Sequence, residues 1–241
     1  MARVSPAARF ENKTHRQLSD DDESTQRTRA RAMIWPTGSL SMFESTLEKF
    51  DKYVDKMEAD NPPSFNLDLA TEVRKRIEQL DYYYKKIDKK HERYMGLAWH
   101  EHREIESLRK QFPYRRIVRE KSEDRLEMEK LIFEIETFTE SFYHMAGRMR
   151  TILRHNSKPL PGLHSFECAG ARNVRNHLLE HPEGKSSRVL VQSFGVGGEE
   201  GPTLKVEREI GQEDIFPDAG LWANAEEIRK NLEVVLDLIL V

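Results

Sequence analysis

Residues 73–112 read VRKRIEQLDYYYKKIDKKHERYMGLAWHEHREIESLRKQF, and this stretch decides the fold. Its seam positions recur at alternating steps of four and three residues, the spacing of a heptad repeat. They are Val73, Ile77, Leu80, Tyr84, Ile87, His91, Tyr94, Ala98, Glu101, Ile105, Leu108 and Phe112. The pattern predicts one long amphipathic α-helix. Asn66 or Asp68 is suited to cap its start, and Pro113 ends it.

A second apolar stripe with the same alternation follows in residues 122–155. Its members are Met128, Leu131, Ile135, Phe138, Phe142, Met145, Met149 and Ile152. Ser122, followed by acidic residues, is a typical helix start. The link around residues 112–114 is short, and short links make neighbouring helices antiparallel. Residues from about 66 to 155 are therefore predicted to form a long helical hairpin.

Shorter elements surround the predicted hairpin. Apolar spacing and proline positions predict three further helices, over about 41–59, 164–180 and 224–240. Two strand-like runs on either side of a Gly-rich turn predict a β-hairpin insertion at residues 188–210. The fold class is therefore all-α, a four- to five-helix bundle led by the long hairpin. Residues 1–38 are polar and of mixed charge, which predicts a disordered tail before one helical domain at 39–241.

Composition limits the classes of function. Charged residues make up 34% of the chain and hydrophobic residues 37%, and the formal net charge is −3. Binding of a polyanion would therefore have to depend on a local basic patch. The single cysteine, Cys168, permits no intrachain disulfide and favours a reducing, cytoplasmic setting. No apolar run is long enough to span a membrane, and neither a cofactor nor a metal is expected.

Polar and basic side chains crowd the predicted third helix. Within ten residues the chain carries Arg172, Asn173, Arg175, Asn176, His177 and His181. These residue types suit RNA cleavage. A guanidinium can hold a phosphate and stabilise its developing charge, and a histidine can transfer a proton at a ribose hydroxyl or a leaving oxygen. This chemistry needs no metal.

The segment from Arg175 to His181, RNHLLEH, resembles the signature of the HEPN domains, an arginine followed by a polar residue and then by a histidine after four to six residues. The predicted helical architecture is also similar to that family. The resemblance implies a homodimer in which two signatures face each other and form a metal-independent endoribonuclease site. It also implies a toxin or phage-defence role with a possible antitoxin or defence partner. Arg175, Asn176 and His181 would be the catalytic residues.

The signature can be aligned with the sequence in two ways, each called a register here. Arg175 with His181 is preferred, because Leu178 and Leu179 can pack while Arg175 faces outward. Arg172 with His177 is the alternative register. The tyrosine that one branch of the family carries two places after the histidine is absent, since Leu179 and Glu183 stand there.

Weaker candidates have simpler structural explanations. His91 is expected to be a core histidine, and the segment from His100 to Glu104 a solvated helix surface and not a metal site. Tyr82–Tyr84 are candidate base-stacking residues, but packing explains Tyr84. The glycines at 195–198 indicate a turn, and the basic residues at 114–119 a solvated loop. Two other functions stay open: a non-catalytic RNA-binding or protein-interaction module, and a structural coiled-coil protein.

Overall fold

The computed structural model describes residues 41–113, 122–176 and 220–241 in full, and the backbone of three strands between them. All of these residues belong to one unit, Ser39–Val241. The predicted tail at 1–38 lies outside the described residues. The described part is mostly helical, and none of its helices is long and apolar enough to cross a bilayer.

Two long helices dominate the structure: α2 (Leu67–Gln111) and α3 (Glu123–His155). Of the two candidate caps for α2, Asn66 is the one that caps the helix, and Ser122 caps α3 as expected. The Asn66 side chain accepts a hydrogen bond from the Leu69 N–H (2.9 Å), and the Ser122 hydroxyl accepts one from the Arg125 N–H (3.3 Å). Local sequence therefore sets where both helices begin.

The two helices run antiparallel. Arg76 contacts Met145, Lys90 pairs with Glu134, and Arg93 pairs with Glu127, so later positions on α2 meet earlier positions on α3. Their facing stripes are buried at Val73, Ile77, Leu80, Ile87 and His91 on α2, and at Met128, Leu131, Ile135, Phe142 and Met149 on α3. This seam is the centre of the core.

The seam is covered along only part of its length. Beyond Leu97, the stripe positions Ile105 and Leu108 are half-buried and Phe112 is exposed. In the described part of the chain, the helices that cover the seam pack nearer its other end. Among the described residues, only α2 and α3 form the end of the hairpin near Phe112.

The shorter helices are α1 (Glu44–Asp60), α4 (Ala169–Arg175) and α5 (Leu221–Leu240). The predicted third helix was wrong at its start, because Leu163–Ser165 is a 3₁₀ turn and α4 begins only at Ala169. Glu227 explains this boundary. Its carboxylate accepts hydrogen bonds from the N–H groups of Ala169 (2.9 Å) and Gly170 (3.2 Å), a cap supplied by a distant helix. Residues 177–180 of the prediction lie outside the described part.

The strand segments form an antiparallel sheet in the order β1-β2-β3. They are β1 (Arg188–Gln192), β2 (Thr203–Glu207) and β3 (Glu213–Gly220). Residues 193–200, where the predicted turn falls, lie outside the described residues, so the β-hairpin insertion stays a prediction. No strand was predicted at β3, whose Pro217 and Gly220 are both unfavourable in strands.

Helix α1 is fixed to the hairpin and to α5 by polar contacts. The Asp81 carboxylate accepts a hydrogen bond from the Phe43 N–H at the start of α1 (3.2 Å). On α5, Glu233 accepts from the Ser45 hydroxyl (2.6 Å) and from the buried Thr46 hydroxyl (3.0 Å). These contacts set the position of α1 relative to both neighbours.

The charge of Glu233 should make stability depend on pH. Burial raises the pKa of Glu233, but the Ser45 and Thr46 hydrogen bonds and nearby Arg229 and Lys49 outweigh burial, so the pKa is lowered. Because the pKa is lowered in the folded state, the ionised Glu233 stabilises the fold fully above the ordinary pKa of 4.5, and this stabilisation is lost as pH falls. We expect Glu233→Gln to reduce the free energy of unfolding by about 1 kcal/mol at neutral pH, because the ionised acceptor is lost.

Urea denaturation at a series of pH values measures this effect. The difference between wild type and Glu233→Gln should begin to shrink as pH falls below the ordinary carboxyl pKa of 4.5. It should be lost once the pH is below the lowered pKa of the folded state, where the wild-type side chain is also neutral. The control is Glu48→Gln, which changes an exposed residue of α1. A wild-type advantage over Glu233→Gln that stays constant with pH would contradict the assignment.

Candidate functional site

The structure places two of the three predicted catalytic residues. Arg175 is the last residue of α4, and Asn176 follows it, with its backbone N–H donating to the carbonyls of Arg172 and Asn173. Both side chains are half-buried. His181, and His177 of the alternative register, lie outside the described residues. The arginine and asparagine are therefore adjacent at the end of one helix, and the predicted proton-transfer group stays untested.

Arg175 does not face outward as the preferred register assumed. Its side chain lies against Gly147 of α3, where a Cβ would come within 2.6 Å of Arg175 Nε and closer still to Cδ. The reason is helical spacing. Ala171 and Val174 form the buried face of α4, and Arg175, four residues after Ala171, shares that face. Arg172 is the arginine of α4 that is exposed.

Contacts on both sides hold α4 in place. Gly170 lies against α5, where a Cβ would meet Asn224 Oδ1 and would come within 2.9 Å of Glu227 Oε2. Asn224 itself is buried and donates to the hydroxyl of Tyr143 on α3 (2.8 Å). The helix that carries Arg175 is therefore fixed between two larger helices, which limits where its guanidinium can reach.

Cys168, directly before α4, is a structural residue. The thiol is buried, and burial raises its pKa to about 12. Because the thiolate is the reactive form, this side chain is inert near neutral pH.

His144 is a site residue that sequence reasoning missed. It lies on α3 one turn before Gly147, and it is half-buried. Partial burial lowers the pKa of His144, and the positive charges of Arg148, Arg175 and Arg76 lower it further. The imidazole is therefore neutral at neutral pH. The guanidinium groups that lower the pKa of this ring come from three helices, α2, α3 and α4.

This region of the fold is strongly basic. Between residues 141 and 176 the chain has one carboxylate, Glu167, and six basic side chains at Arg148, Arg150, Arg154, Lys158, Arg172 and Arg175. The whole chain has a net charge of −3, so this segment departs sharply from the average. The scarcity of acidic residues between positions 141 and 176 was the sequence signal that could have drawn attention to His144.

Ion pairs neutralise only part of the basic region. Glu167 pairs with Arg150 (2.9 Å) and Arg154 (2.6 Å), and the hydrogen bond from Arg150 is the main reason that the pKa of Glu167 is lowered. Arg76 pairs with Glu72. Arg148 is exposed and makes no ion pair within the described part of the chain. The arrangement leaves positive charge available beside His144.

The weaker candidates take structural positions. His91 is buried, and its ring meets the Trp222 ring edge-on at 6.0 Å, as expected for a core histidine. Tyr84 packs against the same Trp222 ring, whereas Tyr82 is exposed under the Lys86 ammonium. His100 lies 3.7 Å from Asp124 across the hairpin. Residues 114–119 and 195–198 lie outside the described part.

Among residues 41–113, 122–176 and 220–241, no three His, Cys, Asp or Glu side chains are grouped to hold an ion.

Comparisons with protein-family models, with curated proteins and with solved structures gave no match to this chain. The resemblance to HEPN domains therefore depends on residues 175–181 and the helical architecture, and it stays a prediction.

The packing of Arg175 on Gly147 can be tested by a double-mutant cycle. In the wild-type background, Gly147→Ala should displace the arginine side chain, and the overpacking cost of about 1–3 kcal/mol should cancel or exceed the gain in helix propensity. In the Arg175→Ala background the same change should stabilise the protein by about 1 kcal/mol. Chemical denaturation of the four proteins measures the coupling.

Gly96→Ala is the matched control, because a Cβ at Gly96 of α2 would meet nothing within 4 Å. It should stabilise the protein equally in both backgrounds. Equal effects of Gly147→Ala in both backgrounds would show that Arg175 does not occupy this space.

Proposed function

We propose that this chain is a metal-independent endoribonuclease of HEPN type that acts as a homodimer, as a toxin or phage-defence effector in the cytoplasm. In this proposal Arg175 stabilises the scissile phosphate, His181 transfers the proton, and Asn176 orients one of them. The observation that carries the proposal is the position of Arg175, whose side chain is held on Gly147 within the most basic segment of the described fold.

The local charge favours RNA as the partner. The phosphate backbone binds to clustered arginines and lysines, and this electrostatic contact needs no particular base sequence. The basic segment of α3 and α4 offers such a cluster on a chain of net negative charge. RNA would therefore be drawn to the end of α4, where Arg175 and Asn176 lie.

The proposed reaction is internal transfer at phosphorus. A base removes the proton of the ribose 2′-hydroxyl, and the 2′-oxygen attacks the adjacent phosphorus. The bond from phosphorus to the 5′-oxygen breaks, and an acid returns a proton to that oxygen. The products are a 2′,3′-cyclic phosphate and a 5′-hydroxyl. A guanidinium beside the phosphate stabilises the charge that develops on the equatorial oxygens.

Substitution of the proposed residues tests this function. We expect His181→Ala to lower the rate of RNA cleavage by about a hundredfold or more, and Arg175→Ala by a similar factor. Cleavage of a labelled single-stranded RNA is followed on denaturing gels, and circular dichroism checks that helicity is unchanged. Wild-type cleavage should persist in chelator, and a 2′-deoxy substitution at the cut position should block it.

The alternative register supplies the matched variants. Loss of cleavage in Arg172→Ala and His177→Ala, with activity retained in Arg175→Ala and His181→Ala, would move the site to the other pair. Retained cleavage in all four variants would remove the nuclease assignment.

The proposed homodimer is tested separately. A composite site requires two copies, so light scattering should give twice the mass of the 28.3 kDa chain at the concentrations at which cleavage is measured. Full cleavage activity by a monomer would contradict a site shared between two chains.

A second candidate function is RNA binding without cleavage, in the class of HEPN-like modules. Arg148, which is exposed and pairs with no carboxylate among the described residues, favours it, because this charge lies on α3 and does not depend on a histidine at position 181. Salt-sensitive binding of RNA with no product, under conditions in which the wild-type dimer is intact, would select this candidate.

A further inference from the structure

The space beside Gly147 brings together side chains from three helices. His144 and Gly147 lie one turn apart on α3, and Arg148 follows His144 by four residues on the same surface. The Arg175 side chain crosses from α4 onto Gly147. Arg76 reaches from α2 to the Met145 sulfur at 3.4 Å. The His144 imidazole therefore has Arg148 in its own helix, with Arg175 of α4 and Arg76 of α2 on either side.

The charges in this cluster are unequally neutralised. Arg76 is largely buried and is paired with Glu72 and with Gln79 (2.7 Å). Arg148 is exposed and unpaired within the described residues, and His144 makes no hydrogen bond there. A bound oxyanion would accept hydrogen bonds from the imidazole N–H and the Arg148 guanidinium, and would reduce the repulsion among the guanidinium groups.

We propose that His144 and Arg148, with Arg175 and Arg76 at the edge, bind one phosphodiester group of a single-stranded RNA. This inference rests on the proposed function, and it adds to it a phosphate site on α3 beside Arg175, one of the residues proposed to act in cleavage. The site fixes the register of the strand, since a phosphate held beside Gly147 limits which neighbouring phosphate reaches the end of α4. Arg148 supplies charge, and neutral His144 supplies a hydrogen-bond donor without charge.

Salt dependence separates these two contributions. Binding of a labelled oligouridine to the full-length protein is measured by fluorescence anisotropy at several salt concentrations, with His181→Ala as the background so that the RNA stays intact. Arg148→Gln should reduce the slope of log affinity against log salt by about 0.7, the value for one phosphate contact on a single strand. Arg148→Lys should keep the slope. His144→Phe should lower affinity about tenfold and leave the slope unchanged.

Arg125→Gln is the matched control. Arg125 is exposed on the same helix, about 35 Å from Arg148 along the helix axis. Its substitution removes the same charge as Arg148→Gln. It should leave the slope unchanged. Thermal unfolding of each variant confirms that the fold is intact.

The outcomes distinguish this site from the proposed function. If the background protein binds RNA but Arg148→Gln and Arg125→Gln share one slope, the phosphate site is wrong and the nuclease proposal stands. If wild type binds no RNA even at low salt, both fail. A reduced slope in Arg148→Gln alone, together with a wild type that binds and does not cut, supports the site and removes the nuclease.

Discussion

Burial of one seam between two antiparallel helices is the constraint on which the rest of this structure depends. Helices α2 and α3 bring apolar stripes together at heptad spacing, and α1, α4 and α5 pack on the hairpin and on one another. Much of the apolar area removed from water lies in this core, and that burial is the main favourable contribution to folding. Near Phe112, where no helix of the described part covers the seam, the stripe positions are only half-buried or exposed.

Polar contacts then position the shorter helices on this core. Asp81 and Glu233 fix α1, and Glu227 caps α4 from a helix more than fifty residues away in sequence. Each carboxylate accepts hydrogen bonds from groups that a helix end would otherwise leave unsatisfied or from buried hydroxyls. A helix as short as α4 would not be stable alone, so its position comes from these contacts.

The candidate site is a consequence of that positioning. A glycine on α3 makes room for an arginine of α4, and the arginine then lies beside a histidine and a second arginine that belong to the hairpin. Burial lowers the pKa of His144 and these charges lower it further, and Glu167 and Glu72 neutralise only some of the charges. Positive charges held close together repel one another, and this repulsion is the physical basis of the phosphate site that we propose.

The sequence by itself determined the long helices, their caps at Asn66 and Ser122, and the buried character of His91. These features depend on periodicity and on hydrogen bonds within one turn, so neighbours in sequence suffice to predict them. Sequence reasoning also identified Arg175 and Asn176 as candidates, but it gave Arg175 the wrong direction. Only the tertiary structure decided that direction, the start of α4 at Ala169, and the position of His144 and Arg148 close to Arg175. Those outcomes depend on contacts between helices distant in the chain, and no local pattern encodes such contacts.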